Sequence, residues 1–352
     1  MHIRIPSIRS MLTSVSTLTL LGLGGCYTRW EPLTFKDDPQ STMMPLSDLA
    51  LSTDEIYWPV IWITVGIFVL VQALLTVAVF KFREKPGEPM PEQVHGNINM
   101  ELGWTLLPVI ILVAISFPTV TRIWAAQTAP EGEVFEIKVV GKQWWFAFEY
   151  PELGLVTANE VHLPAGRPVH LALHSGDVIH AFWIPRLGGK RDLMPGRINH
   201  IWLTADMPPE GQDSIRLEGQ CAELCGDSHA LMRMEAIVHT PESFDKWVAA
   251  QKQAAATPTE PLAAKGAETF LAAGCIACHS TDPSNAQAFL APNLSHFGSR
   301  PRLAADRFEN NAENLAAWLR NPQAVKPGAT MPNLNLNDQQ VDALVAYLSS
   351  LK

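Results

Sequence analysis

Two long runs of this chain carry no charge: residues 57–80 and residues 102–121. About 20 apolar residues span the hydrocarbon core of a bilayer, so each run predicts a transmembrane helix. Trp58 and Trp124 stand near their ends, where aromatic side chains anchor at the interface. A helix buried in a protein core would give the same pattern. From Glu133 to about Thr240 the pattern shortens. V-F-E-I-K-V-V, W-W-F-A-F-E-Y, P-V-H-L-A-L, R-I-N-H-I-W-L and M-E-A-I-V-H are rich in β-branched and aromatic residues and are punctuated by Gly, Pro and Asp. They predict a β-sandwich or barrel. An Ala/Thr/Pro-rich linker follows over residues 249–262. Beyond it the period becomes helical. Asn337 and Gln340 fit a capping box, and Val341, Leu344, Val345 and Leu348 form one apolar face.

The N-terminus has its own pattern. Arg4 and Arg9 precede an uncharged stretch, Met11 to Gly22, too short to span a bilayer. It ends in Leu-Gly-Gly-Cys26, which resembles a bacterial lipoprotein signal. The resemblance implies removal of residues 1–25 and lipidation of Cys26; a plain signal peptide or an uncleaved apolar segment is the alternative. A lipidated Cys26 places the N-terminus outside, and two spans return the chain outside. Lys81, Arg83 and Lys85 in the intervening loop agree with the positive-inside rule. The expected order is an exported segment over 26–55, a transmembrane hairpin over 56–124, a β domain over 125–248, the linker, and an all-α domain over 263–352.

Composition narrows the classes. Charged residues make up 17% of the 352, against about 25% in soluble domains. With 47% hydrophobic residues the chain is not disordered. A net charge of −9 gives no electrostatic footprint for nucleic acid. Residues 125–255 carry 17 acids and 11 bases, so an acidic docking face is one reading of that half and solvated surface the other. The five cysteines are too few for a disulfide scaffold and fall into groups: Cys26, then Cys221 and Cys225, then Cys275 and Cys278.

The middle pair sits in C-A-E-L-C-G-D-S-H-A-L-M, which brings Cys221, Cys225, His229 and Met232 within twelve residues. His180 lies upstream on a strand-like run. A disulfide explains neither the His nor the Met. Structural zinc takes two Cys and two His. A thioether added to thiolates selects copper, and two sulfurs can bridge two metals. The last pair sits in C-I-A-C-H, the c-type haem attachment spacing. Cys275 and Cys278 would bind the haem covalently and His279 its iron; a chance match or a redox dithiol is the alternative. Met331 is the sole Met after Met234, and Met/His ligation raises the potential, as a donor to copper requires. Met331 is therefore the expected sixth ligand. Glu101, at the inner end of the second span, is an interfacial carboxylate at a helix N-terminus or a proton-path carboxylate.

Here the motifs converge. His180 with C-x-E-x-C-G-x-x-H-x-x-M resembles the binuclear copper centre (CuA) of cytochrome c oxidase subunit II. The resemblance covers residues 50–250 and implies two spans followed by a cupredoxin-like β-sandwich. It implies copper ligation by His180, Cys221, Cys225, His229, Met232 and the carbonyl of Glu223, whose side chain would hold magnesium shared with subunit I. G-K-Q-W-W-F resembles the family's aromatic run, which makes Trp144 the electron-receiving residue. The usual Trp-Tyr-Trp is Trp144-Trp145-Phe146 here. M-P-G-R-I-N around Arg197 also matches. H-G-N-I-N-M-E-L-G-W-T-L-L-P aligns Glu101 with the carboxylate at the mouth of a proton pathway into subunit I. A-P-N-L-S-H-F-G-S-R resembles the loop of small class I cytochromes c, in which the Pro292 carbonyl would orient the proximal histidine. The whole chain resembles subunit II of a caa-type oxidase with a fused cytochrome c. That implies electron transfer from a cytochrome c-type or quinol-oxidising donor through haem c and CuA to subunit I, with subunit III and membrane lipid as neighbours. It also implies a bacterial inner membrane with both redox domains on the periplasmic side. A nitric oxide reductase subunit and a free-standing electron-transfer protein are the alternatives.

Overall fold

The computed structural model describes residues 40–255, 257–283 and 290–352. Cys26 and the export signal lie outside the described residues. Two long helices come first, α1 (Asp48–Lys81) and α2 (Ile98–Gln127). Both exceed the uncharged runs that predicted them, because polar first turns extend them. Ser47 caps α1 through its hydroxyl, which accepts the Ala50 N–H at 3.1 Å. Asn97 caps α2 by accepting from Asn99 and Met100. Their apolar side chains face outward; Trp62, Phe68 and Phe80 are 62–70% exposed. Such a belt on a self-satisfied helical backbone is suited to lipid. Pro59, Pro108 and Pro118 sit inside these helices. Arg122 of α2 closes the hairpin with an ion pair to Glu55 of α1 at 2.5 Å.

A β-sandwich follows. Among the described residues, one five-stranded sheet has the order β3 (Leu155–Ala158), β2 (Trp145–Tyr150), β1 (Phe135–Lys142), β5 (Pro168–Ser175), β8 (Asn199–Thr204). The other has the order β4 (Glu160–Pro164), β10 (Arg233–His239), β9 (Ser214–Cys221), β6 (His180–Trp183), β7 (Arg191–Leu193). The β1–β5 and β4–β10 pairings are parallel and the rest antiparallel. Alternation decides the faces. In β1, Phe135, Ile137 and Val139 are fully buried, and Leu171, Leu173, Leu217 and Val238 meet them from other strands. Helix α3 (Pro241–Gln251) adds Phe244 and Trp247 to this core. It carries the β domain into the segment expected as linker, so the irregular stretch is shorter and ends where α4 (Pro261–Ala272) begins. The hairpin is pinned to the sandwich: Ser47 donates to the Leu187 carbonyl at 2.8 Å, and Asp48 accepts the Thr204 N–H at 2.8 Å.

The last domain is built on α4 and α7 (Asp338–Ser350), with α5 (Ala312–Arg320) and the short α6 (Pro322–Val325) between them. Gly266 of α4 lies against the Ala343 carbonyl of α7, where any side chain would collide, so the two helices cross at close range. The capping box at Asn337 and Gln340 is present, each bond 3.0 Å. Val341, Leu344 and Leu348 are buried against Phe270, Leu315 and Leu319.

Candidate metal centres and the contact between them

The sulfur site forms where two strand ends meet. Phe182 of β6 pairs with Cys221 of β9, which brings His180 beside the loop running from Cys221 to Met232. The Sγ atoms of Cys221 and Cys225 are 3.8 Å apart. Cys225 Sγ lies 3.6 Å from His229 Nδ1 and 3.9 Å from Met232 Sδ. Ligand atoms of His180, Cys221 and Cys225 lie within 4.8 Å of one another, all buried. The Glu223 carbonyl is 3.2 Å from Cys221 Sγ, with its own side chain exposed. The six residues expected as copper ligands therefore come together. The sulfurs remain unbridged, so the disulfide alternative is not realised.

The protonation pattern suits a metal. The hydrogen bond between the thiols holds Cys221 well below an ordinary thiol and pushes Cys225 far above one. Burial disfavours charge on His180, but the Cys221 sulfur and the Asp177 carboxylate outweigh it and raise its pKa. His180 Nε2 meets Asp177 Oδ1 at 2.7 Å. Its Nδ1 is buried without a hydrogen-bond partner among the described residues. A buried ring nitrogen without a protein hydrogen-bond partner, beside two thiols, has the chemistry of a metal ligand set. The donors fit copper, with soft sulfur outnumbering imidazole.

The second site is a cavity of about 410 Å³ whose lining includes Cys275, Cys278, His279 and Met331. His279 Nδ1 contacts the Pro292 carbonyl at 2.7 Å, which leaves Nε2 for iron. Burial lowers the pKa of this imidazole, partly opposed by Pro292, and favours the neutral ligating form. Two thiols on the rim, one imidazole and one thioether match the requirements of covalent haem c.

The cavity wall is shared. Trp144, Trp145 and Glu160 of the β domain line it together with the haem-domain residues. Trp144 is 7% exposed, and its Nε1 donates to the Cys225 carbonyl at 2.9 Å. One indole thus touches the sulfur loop and borders the haem cavity. Trp145 packs with Ala147 and Ala158 against Ala305 of the last domain.

Glu101 lies in the first turn of α2, where its Oε1 accepts the Asn97 N–H at 3.2 Å. This is the capping contact of the interfacial reading. Sequence reasoning missed Asp177. Its signal was local: an Asp three residues before a candidate ligand His, in a Ser-Gly-Asp turn.

Comparison with known proteins matches this architecture. Residues 42–121 match the transmembrane domain of cytochrome c oxidase subunit II, residues 153–239 its periplasmic domain, and residues 263–352 the cytochrome c family. Cytochrome c oxidase subunit 2 of Alkalihalophilus pseudofirmus is 40% identical over 299 residues, covering 81% of this chain and 85% of the relative. The chain belongs to the cytochrome c oxidase subunit II family. Its Bacillus subtilis relative of the same name is 36% identical, covering 77% and 80%. A quinol oxidase subunit 2 of Bacillus cereus is also 36% identical, covering 68% and 79%. The family and the appended domain together imply CuA and haem c in a membrane-anchored oxidoreductase subunit. They do not favour the nitric oxide reductase or free-standing alternatives.

Proposed function

We propose that this chain takes electrons one at a time from a reduced cytochrome c-type or quinol-oxidising donor and delivers them to the haem of oxidase subunit I, where oxygen becomes water. The observation that carries the reading is Trp144, which borders the haem cavity and donates to a carbonyl of the sulfur loop. When bound, haem c and CuA supply reversible one-electron chemistry with little rearrangement. The protein's part is to fix and seal them. Cys275 and Cys278 anchor the haem, while His279, oriented by Pro292, and Met331 are placed for its iron. Cys221, Cys225, His180, His229, Met232 and the Glu223 carbonyl hold copper, with His180 oriented by Asp177. Burial at 0% exposure for His180 and Met232 keeps water away. The exposed Glu223 side chain is available to magnesium at the boundary with subunit I. Glu101 stands where protons would enter a pathway on the inner face. In this reading both redox domains lie on the periplasmic side of a bacterial inner membrane, beside subunits I and III, with Cys26 as a lipid anchor.

An optical spectrum of the purified complex, taken during reduction by donor, tests this reading. The haem c band is expected to change first and a near-infrared CuA band next, with oxygen consumed afterwards. A complex holding zinc in place of copper, or showing no haem c band, would sink it.

A further inference from the structure

Beyond its chemistry, Trp144 is gripped from both domains. On one side is Gly226 of the sulfur loop; a Cβ placed there would lie 3.1 Å from Trp144 Cζ2. On the other is Gly328 of the haem domain. It has φ +76°, and a Cβ there would lie 2.6 Å from Trp144 Cη2. Two residues earlier, Lys326 is 4% exposed, and its Nζ donates to the Trp144 carbonyl. The same Nζ reaches the Ala304 carbonyl at 3.5 Å. Between them, Pro327 offers its carbonyl to the Ser228 hydroxyl at 2.5 Å.

We propose that Lys326, Pro327 and Gly328 form a clasp that holds the haem domain on Trp144, so that the two redox domains work as one prebuilt body and Trp144 is closed to outside donors. This rests on the relay reading above, and deepens it from a tethered domain to a docked one.

A lysine is almost never fully buried unless it is paired. Among the described residues Lys326 has no carboxylate hydrogen-bond partner; it bridges one backbone carbonyl from each domain. Lys326 also borders the haem cavity, and its Nζ is committed to a carbonyl of each domain. Burial draws its pKa down to about 7, yet charged or neutral the amine keeps N–H donors for both carbonyls. A second loop supports the grip. Ala304, Ala305 and Asp306 all have φ near +60°, a strained region for residues with a Cβ, and the Ala305 carbonyl accepts the Arg233 N–H of β10 at 3.3 Å. Strain of this kind persists where neighbouring structure fixes it. A flexible linker raises only effective concentration, leaving the bound geometry to chance encounters. The clasp sets that geometry in advance, three residues before the candidate iron ligand Met331.

The test uses the whole complex with Lys326→Met, Gly328→Val and Ser228→Ala. Hydrogen–deuterium exchange reads the amides of residues 143–146 and 228–233. A single-turnover experiment reads transfer from haem c to copper at rising solvent viscosity. In the wild type these amides are expected to be protected and the internal step indifferent to viscosity. In the glycine variant, haem c content and its reduction by donor should be unchanged; the lysine variant, whose residue also borders the haem cavity, is read at matched haem c content. Exchange should rise, and the internal step should slow on the order of tenfold and become viscosity-dependent, as expected when a buried contact between the domains is lost and the docked population falls. Ser228→Ala should show the same exchange signature more weakly, and it carries the comparison if either larger change prevents assembly. Unchanged exchange and rate in the variants, or a wild-type step that already falls with viscosity, would overturn the clasp. If the variants lose protection while the wild type itself passes no electron from haem c to copper, the clasp stands and the relay reading fails.

Discussion

The Asp177 carboxylate is divided between the two halves of the copper site. Oδ1 meets His180 Nε2 at 2.7 Å, and Oδ2 accepts the Gln143 N–H at 2.7 Å. Gln143 in turn donates through its side chain to the Cys225 carbonyl at 2.8 Å, the same carbonyl that accepts from Trp144. Asp177 therefore fixes the tautomer of His180 and the approach of the chain to Trp144. Asp177→Asn keeps the size and removes the charge. Partners of ligating histidines contribute about 10–100-fold to metal affinity. Copper binding in the variant is expected to weaken by that order while the haem c spectrum is unchanged, read by metal titration of the purified complex.

Met232 is fully buried, with its sulfur 3.9 Å from Cys225 Sγ. A long thioether tunes a copper site more than it assembles one. Met232→Leu conserves volume and should cost under about 1.5 kcal/mol of stability. The variant is expected to retain copper with a shifted potential and slower transfer, measured by redox titration of the near-infrared band. Complete loss of copper would show that the thioether is needed for assembly.

Much of this site could be read from sequence because its ligands are crowded. Cys221, Cys225, His229 and Met232 lie on one loop, and the haem thiols and His279 on another, so spacing alone reports them. The β strands with apolar alternation were legible too, as were the α7 cap and face. Strands such as β3, β4 and β9 were not named: β9 reads S-I-R-L-E-G-Q-C, polar on its outward face and ending in a ligand. Contacts between distant segments left no local trace. Nothing in P-Q-A-V-K-P-G says that Lys326 is buried on Trp144, since composition makes a lysine beside Pro and Gly look like solvated loop.

Glu101 makes a capping contact with the Asn97 N–H and is proposed as the proton-path carboxylate. Glu101→Gln keeps the oxygen that accepts the Asn97 N–H, so the helix start should hold within a few tenths of a kcal/mol. What it removes is a titratable group. Turnover is expected to slow while reduction of haem c and CuA by donor stays at the wild-type rate. Wild-type turnover would assign Glu101 to capping alone.

Asp306 sits in the haem cavity wall, with Oδ1 buried and lacking a hydrogen bond among the described residues; Arg302 Nε is 3.5 Å away. Burial, then Glu235, raise its pKa to about 7 against the pull of Arg302, with Glu218 and Glu160 adding to the rise. A folded-state pKa above the unfolded value means that the native state holds the proton more tightly. The associated stability is full below about pH 4 and is lost as pH rises through 7. Asp306→Asn removes that loss. It should be more stable than wild type above pH 7, by about 4 kcal/mol, with the difference vanishing toward pH 4. Thermal melts followed at the haem c band across this range provide the measurement; a variant less stable than wild type at pH 8 would reverse the assignment.

Ending the chain at Gln253 removes the haem domain after α3, which packs through Phe244 and Trp247 into the β core. The candidate copper ligands all precede Arg233, and the β sheets close among themselves, so the shortened protein is expected to assemble with CuA. Cutting just after a helix, in irregular chain, sacrifices few backbone hydrogen bonds. The truncation also uncovers Trp144, which Gly328 and Lys326 otherwise cover, and Trp145, which otherwise packs on Ala305. Electron delivery through the haem domain should vanish, and a small donor that depends on it should lose nearly all its activity. A soluble basic cytochrome c should gain what the full chain denies it, direct approach to Trp144 on a domain whose residues 125–255 carry 17 acids against 11 bases. Attraction of that origin is screened, so the gained activity should fall as salt rises from 0.01 M to 0.15 M, where the Debye length shrinks from about 30 Å to about 8 Å. Oxygen uptake with each donor at several salt concentrations decides the matter. If the truncated complex used its native donor at the full rate, haem c would lie off the main route and His279 and Met331 would serve a side branch.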